Sequence, residues 1–160
     1  MRIIMCGLML VTGFATMAEG QTKTTALTLD ALGLAVDAPE GSRVRKLGRG
    51  FMVQGSGVVF MVEVASSTRP TSPDKAKADA VDEYGAKAVH VETLADGWAL
   101  LFENSGSAGA NFFVEMRRDI GGKSYWCEAT VSSLEQRTAA AVACKSLRPV
   151  PGGVNNAPGS

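Results

Sequence analysis

The chain is poor in the residues from which most catalytic and metal centres are built. It has one histidine, His90, and three cysteines, Cys6, Cys127 and Cys144. So little imidazole and thiolate cannot assemble a zinc site of ordinary type. A Ser-His-Asp or Cys-His unit would rest on His90 alone, which lies in a strand pattern rather than beside a nucleophile. Net charge is missing too: lysine plus arginine number 16, as do aspartate plus glutamate. That balance supplies no field to steer the chain toward nucleic acid or an anionic membrane, and aromatics at 6% leave few rings for bases to stack on. The acidic residues are not spaced as a calcium loop. Gly48-Arg49-Gly50 starts like a phosphate loop, but no helix follows to offer an anion-binding N-terminus, so it reads as a turn. No cofactor is expected.

Long apolar runs are also absent. The longest, Ile3–Ala15, falls short of the roughly 20 residues that span a bilayer. It follows Met1-Arg2 and precedes small residues at Ala15, Ala18 and Gly20, which is the layout of a secretory signal. Residues 1–20 therefore read as a signal peptide, with cleavage after Ala18 or Gly20 both compatible. An uncleaved anchor or a buried helix is the alternative, disfavoured by length. Cys6 lies inside the apolar stretch with too few residues before it for lipidation. The expectation is an exported chain, periplasmic or secreted, with no stable membrane anchor after cleavage. The mature chain keeps two cysteines, and an even number in an oxidising compartment reads as a disulfide, Cys127–Cys144. Two unpaired buried thiols, suited to the cytosol, are the competing possibility.

What is present is a pattern of short strands and two helices. Residues 21–26 read as a flexible lead-in. Residues 32–38 alternate, Pro39-Glu40-Gly41 turns the chain, and a short strand follows at 43–47. Residues 51–54 and 58–65 flank Gly55-Ser56-Gly57 as a hairpin. A helix is predicted from Ser72-Pro73, serine as N-cap and proline in the first turn, with an apolar stripe at Ala76, Ala80, Val81, Tyr84 and Ala88, weakening at Gly85. Strands are predicted at 88–94, 98–104, 111–118 and 123–131, with turns at Asp96-Gly97, Ser105–Gly109 and Gly121-Gly122. A second helix starts at Ser133 with Gln136 completing a capping box, and Pro149 stops it. Residues 150–160 read as a disordered tail. Sequential hairpins with two helices define an α+β class. The expected fold is one domain over 27–149: a mainly antiparallel sheet of about six to eight strands packed by two helices.

Hairpin turns set which residues face each other. A two-residue turn at Gly121-Gly122 puts Met116 opposite Cys127, Val114 opposite Ala129 and Phe112 opposite Val131. Cys127 then points at a packed layer, and the second helix brings Cys144 to it. Closing that 17-residue loop contributes roughly 3 kcal/mol in the chain-entropy model. The other face pairs Arg117 with Trp126, Glu115 with Glu128 and Phe113 with Thr130. A turn centred on Asp96-Gly97 sets His90 opposite Glu103 and Glu92 opposite Leu101. Leu101, Phe113, Trp126, Arg117, Glu115, Glu128 and Glu103, with His90 nearby, are then expected on one face. That face has two readings. In one, Trp126 and Arg117 anchor a protein partner, with Phe113, Leu101, Glu115 and Glu128 around them. In the other, the first helix covers Leu101, Phe113 and Trp126, the glutamates sit on a wet rim, and Arg117 stacks on Trp126.

The opening LGLAVDAPEGSRV, with its strand ending in a proline turn, and the helix after YWCEATVSS resemble the layout of PsbP, Mog1 and DcrB-like domains. The resemblance covers about residues 27–149. It implies an antiparallel sheet sandwiched by helices and, by the nature of most members, a non-enzymatic role. No functional residue carries over, and the cysteine pair departs from the general pattern. The function expected is an exported, non-enzymatic binding or accessory protein of the bacterial envelope, with a protein partner in the envelope or outside the cell. The alternatives are a secretion-system immunity protein or chaperone, and a small hydrolase using Glu115 and Glu128 with His90.

Overall fold

The structure, a computed structural model, describes residues 23–150 apart from Ser56 and Ala108. The signal expected over 1–20 and the tail beyond Val150 lie outside the described residues. The chain forms one α+β domain. Its elements are β1 (Thr24–Leu29), β2 (Leu34–Pro39), β3 (Arg43–Leu47), β4 (Gly50–Gly55), β5 (Val58–Val64), α1 (Pro73–Tyr84), β6 (Lys87–Leu94), β7 (Gly97–Gly106), β8 (Gly109–Ile120), β9 (Lys123–Val131), α2 (Leu134–Lys145) and β10 (Arg148–Pro149). A seven-stranded sheet runs β3-β4-β5-β9-β8-β7-β6, and a three-stranded sheet runs β1-β2-β10; the pairings are antiparallel.

Alternation along the strands divides the large sheet into two faces. One carries Phe51, Val53, Phe60, Val62, Val114, Met116, Cys127 and Ala129, which pack with Ala140, Ala143 and Cys144 of α2 and with Leu29, Leu34 and Val36 of the small sheet. The Cys127–Cys144 disulfide joins β9 to α2 within this core, with the Cα atoms 5.8 Å apart and both residues fully buried. The other face carries Trp98, Leu100, Phe102 and Trp126, packed under Ala76 and Ala80 of α1. Alanine at both contact positions lets the helix approach the indole rings closely.

Both helices begin as expected, with the Ser72 and Ser133 hydroxyls accepting from the backbone N–H groups of Lys75 and Gln136. The reciprocal half of the capping box shifts by one residue: Gln136 Oε1 accepts from Ser132, not Ser133. Gly85 ends α1 in the left-handed region at φ +60°. The flexible lead-in expected at 21–26 gives way to β1 at Thr24, which pairs with β2 along its full length. Isolated apolar residues at Ala26, Leu27 and Leu29 are a weak strand signal, and only the neighbour β2 gives them a ladder.

The hairpin between β6 and β7 differs from expectation. Leu94 pairs with Gly97 around Ala95-Asp96, so the turn lies one residue earlier than Asp96-Gly97. His90 therefore faces Leu101, not Glu103, and Glu92 faces Ala99, not Leu101. The cause is tertiary. Gly97 adopts φ +151° and lies so close to β8 that a Cβ would collide with the Arg117 carbonyl oxygen. Asp96 is thereby left in the turn, where its side chain accepts two bonds from Arg118 at 2.7 and 2.8 Å.

Candidate functional site

On the α1 face, cross-strand pairing aligns residues into rows. One row runs Arg45, Met52, Met61, Glu128, Glu115, Leu100 from β3 to β7. The neighbouring row runs Glu63, Trp126, Arg117, Trp98. Helix α1 lies over the β7 side of these rows, and among the described residues no helix covers the β3–β5 side, where Met52, Val59 and Met61 are half-buried.

The covered part is an aromatic layer. Trp98 and Trp126 meet edge to face at 5.6 Å, and Phe102 and Phe113 stack at 4.5 Å. Tyr84, the last residue of α1, sits 5.6 Å from Phe113 and 5.8 Å from Phe102. Its carbonyl accepts from Asn104 Nδ2, which ties the helix end to β7. Trp126 is only 1% exposed. The loop between β5 and α1 completes its cover: the Arg69 guanidinium lies over the indole ring at 4.9 Å. Arg69 also donates to Glu63 at 3.0 Å and to Glu128 at 2.9 Å. Glu128 receives the Trp126 Nε1–H at 2.8 Å on its other oxygen. Partial burial works to lower the Arg69 pKa, but the bonds and charges of Glu128 and Glu63 outweigh it and raise the value. Both oxygens of Glu128 are thus committed.

Glu115 has no such arrangement. It stands opposite Glu128, half-buried, and its pKa is pushed up to about 7. Desolvation is the main cause, followed by the Glu128 charge; Asp79 and Glu83 add to it, while Arg69 opposes it. Among the described residues it has no hydrogen-bond or ion-pair partner. Two adjoining hollows meet at Glu115 and Tyr84. One, of about 340 Å³, is walled by Val59, Met61, Phe113 and Thr130. The other, of about 180 Å³, lies between α1 and Arg69, with Asp79 and Glu83 on its wall. Together they form a groove with apolar and aromatic sides; the half-buried Glu115 lies between them, and Glu83, likewise without a partner among the described residues, is exposed to water at the rim. A larger hollow, about 690 Å³, lies elsewhere, between α2 and β2. Asp37 in its lining is already bound to Arg148 at 2.7 Å.

Of the residues expected on one face, Phe113, Glu115, Glu128, Arg117 and Trp126 are brought together, and the registers Glu115–Glu128 and Arg117–Trp126 are as derived. Leu101 is a correction. It pairs with Val114 and packs with the α2-side core, and Leu100 takes its place beside Glu115. Glu103, opposite Phe112, is on that α2 side as well. The strands flanking the Ser105–Gly109 loop continue to Gly106 and from Gly109, and the parity of that long hairpin decides which leucine faces which way. Arg117 does not stack on Trp126; it donates to Ser124 at 2.6 Å and lies 3.4 Å from Asp119. The stacking arginine is Arg69, which no periodic pattern marks, since it sits in a loop before Pro70. Arg118 was also missed. It is 8% exposed and points into the α2-side core, and a charge at an inward strand position is the signal that could have found it.

No protein-family model and no curated protein matches the chain. Among the described residues, no group of three or more His, Cys, Asp or Glu side chains is placed to hold a metal ion. None of the described helices is long and apolar enough to cross a membrane.

Proposed function

We propose that the chain is an exported, non-enzymatic binding protein of the bacterial envelope, and that its contact surface is the groove formed by Met61, Phe113, Glu115 and Tyr84. The observation that carries the groove assignment is Glu115. Its neighbours Glu128 and Glu63 are paired by Arg69 and Asp79 is paired by Lys75, while Glu83, without a partner among the described residues, is exposed to water. A half-buried carboxylate without a partner is costly to a domain that stands alone, and a ligand that supplied the missing donor would relieve that cost. The signal-like N-terminus and the buried disulfide support export, since such bonds persist where thiols oxidise. The resemblance to PsbP, Mog1 and DcrB-like domains supports a role without catalysis.

This reading moves the contact surface away from Trp126 and Arg117 toward the groove. Trp126 lies beneath Arg69 and α1, and Arg117 is committed to Asp119 and Ser124. It also weighs against the hydrolase. A glycosidase-like pair needs a second carboxylate free to attack or to activate water, and both oxygens of Glu128 are occupied by Arg69 and Trp126. The test is capture from an envelope extract by the immobilised mature chain. A protein retained by the wild type and lost with the Glu115→Gln, Tyr84→Ala double variant is expected; equal capture by both overturns the groove assignment. N-terminal sequencing of chain purified from the periplasm or medium is expected to start after Ala18 or Gly20. An intact Met1 there overturns the export reading.

A further inference from the structure

We infer that the groove receives a lysine side chain of the partner protein, its ammonium group against Glu115 and its methylene stem between Met61 and Tyr84. The inference rests on the binding-protein reading above and names what that surface recognises. Lysine carries a compact charge on an apolar four-carbon stem. The hollow offers the matching order: apolar walls at Val59 and Met61, aromatic rings at Tyr84 and Phe113, and the Glu115 carboxylate, without a partner among the described residues, where it meets the second hollow. Rings near an ammonium add attraction through their electron-rich faces.

The charge around the groove is complementary to a cation. Glu115 faces Glu128 from β9 and Asp79, Glu83 and Tyr84 from α1; of the cations nearby, Arg69, from the loop, is already shared by Glu63 and Glu128, and Lys75 of α1 is held by Asp79. A protein rather than a free amine is the occupant because the groove continues into a strip that no helix covers among the described residues. The row from Glu115 passes Glu128, which Arg69 and Trp126 already occupy, and then Met61 and Met52 to the exposed Arg45 at β3. That span covers four strand spacings, about 19 Å. A partner presenting a lysine, an apolar stretch and then an acidic side chain would cover the whole row, whereas a small amine would leave the methionines and Arg45 open.

The experiment is an NMR titration of the mature chain at pH 8, following the Glu115 side-chain carboxyl carbon. The probes are N-acetyl-lysine N-methylamide, its norleucine and arginine counterparts, and n-pentylamine. The lysine probe is expected to give a saturable shift and to lower the Glu115 titration midpoint, and the norleucine probe is expected to give neither. In Glu115→Gln, shifts of the neighbouring Phe113 and Tyr84 rings should vanish; in Tyr84→Ala, whose side chain is 44% exposed, the saturation should weaken without loss of fold. Equal responses to lysine and norleucine, tighter binding of arginine, or binding of n-pentylamine alone would each overturn the inference. Acetylating the lysines of the envelope extract is expected to abolish groove-dependent capture. Capture that survives acetylation overturns the lysine inference and leaves the binding-face reading standing; absence of any groove-dependent capture overturns both.

Discussion

The Arg69 guanidinium sits 4.9 Å above the Trp126 ring and at the same time bridges Glu63 and Glu128. One loop side chain thereby closes the open edge of the aromatic layer, neutralises two carboxylates and leaves the third, Glu115, without a partner. The loop before α1, rather than the strands, decides which charge on this face is available to a ligand.

Replacing Arg69 with alanine removes the ring cover and leaves two half-buried carboxylates uncompensated. The expected loss is about 2 kcal/mol, since the group is partly solvated. Urea denaturation at neutral pH measures it. The Glu115 pKa should rise further in the same variant, because Arg69 is the one neighbour that favours its ionised form. An unchanged or lowered Glu115 titration would show that Arg69 does not act on that carboxyl group.

Glu115 makes stability depend on pH. Its carboxyl group keeps its proton to about pH 7 in the folded chain but releases it near 4.5 when unfolded. Between those values the folded state binds more protons, so stability falls as pH rises. The penalty is absent below 4.5 and complete above 7. Glu115→Gln should therefore stabilise the domain by roughly 2 kcal/mol at pH 8, allowing for partial solvent contact, and by close to nothing at pH 4. Denaturant curves of both proteins across this range test the sign. A Gln variant whose advantage grew toward acid would contradict it.

How much of this was legible in the sequence depends on which interactions set each feature. The Gly121-Gly122 turn is local, and the derived pairs Met116–Cys127 and Glu115–Glu128 are those in the sheet. The disulfide follows from one such register and one amphipathic helix. Leu101 was misplaced because its face is set by the extent of the β7–β8 hairpin, where Gly106 pairs with Gly109; a period of two converts one residue of uncertainty into the wrong face. The turn moved off Asp96-Gly97 because Gly97 lies against the β8 backbone at Arg117, a contact between residues far apart in the sequence. Arg69 carries no pattern at all, since loop residues obey no repeat.

The disulfide is expected to resist reduction in the native state. Cys127 and Cys144 are fully buried, so a reductant must wait for opening. Incubation with dithiothreitol under native conditions should leave the thiols unreactive toward iodoacetamide, whereas denaturant should expose both at once. A Cys127→Ala, Cys144→Ala double variant should lose roughly 3 kcal/mol, read from its denaturation midpoint. Rapid native alkylation would show that α2 detaches from the sheet readily.

Asp96 and Arg118 link two distant parts of the fold. Beyond its paired bonds to Asp96, Arg118 donates to the carbonyl oxygens of Cys144, Lys145 and Leu147. These lie at and just beyond the C-terminal end of α2, where unpaired carbonyls concentrate negative potential and a cation is favoured. Asp96 also accepts the Asp119 N–H on its backbone carbonyl at 2.6 Å, which no side-chain substitution removes. Asp96→Asn should keep the turn and the backbone bond but leave the buried Arg118 with a neutral partner, at a cost of about 2 kcal/mol. The Arg118→Met variant, of similar length and without charge, should lose the carbonyl contacts as well and loosen the end of α2. Hydrogen exchange distinguishes the two, because Asp96→Asn should preserve protection at Ser146 and Leu147 while Arg118→Met should reduce it. Equal loss of protection in both variants would mean that Asp96, not Arg118 itself, orients the contact with the helix end.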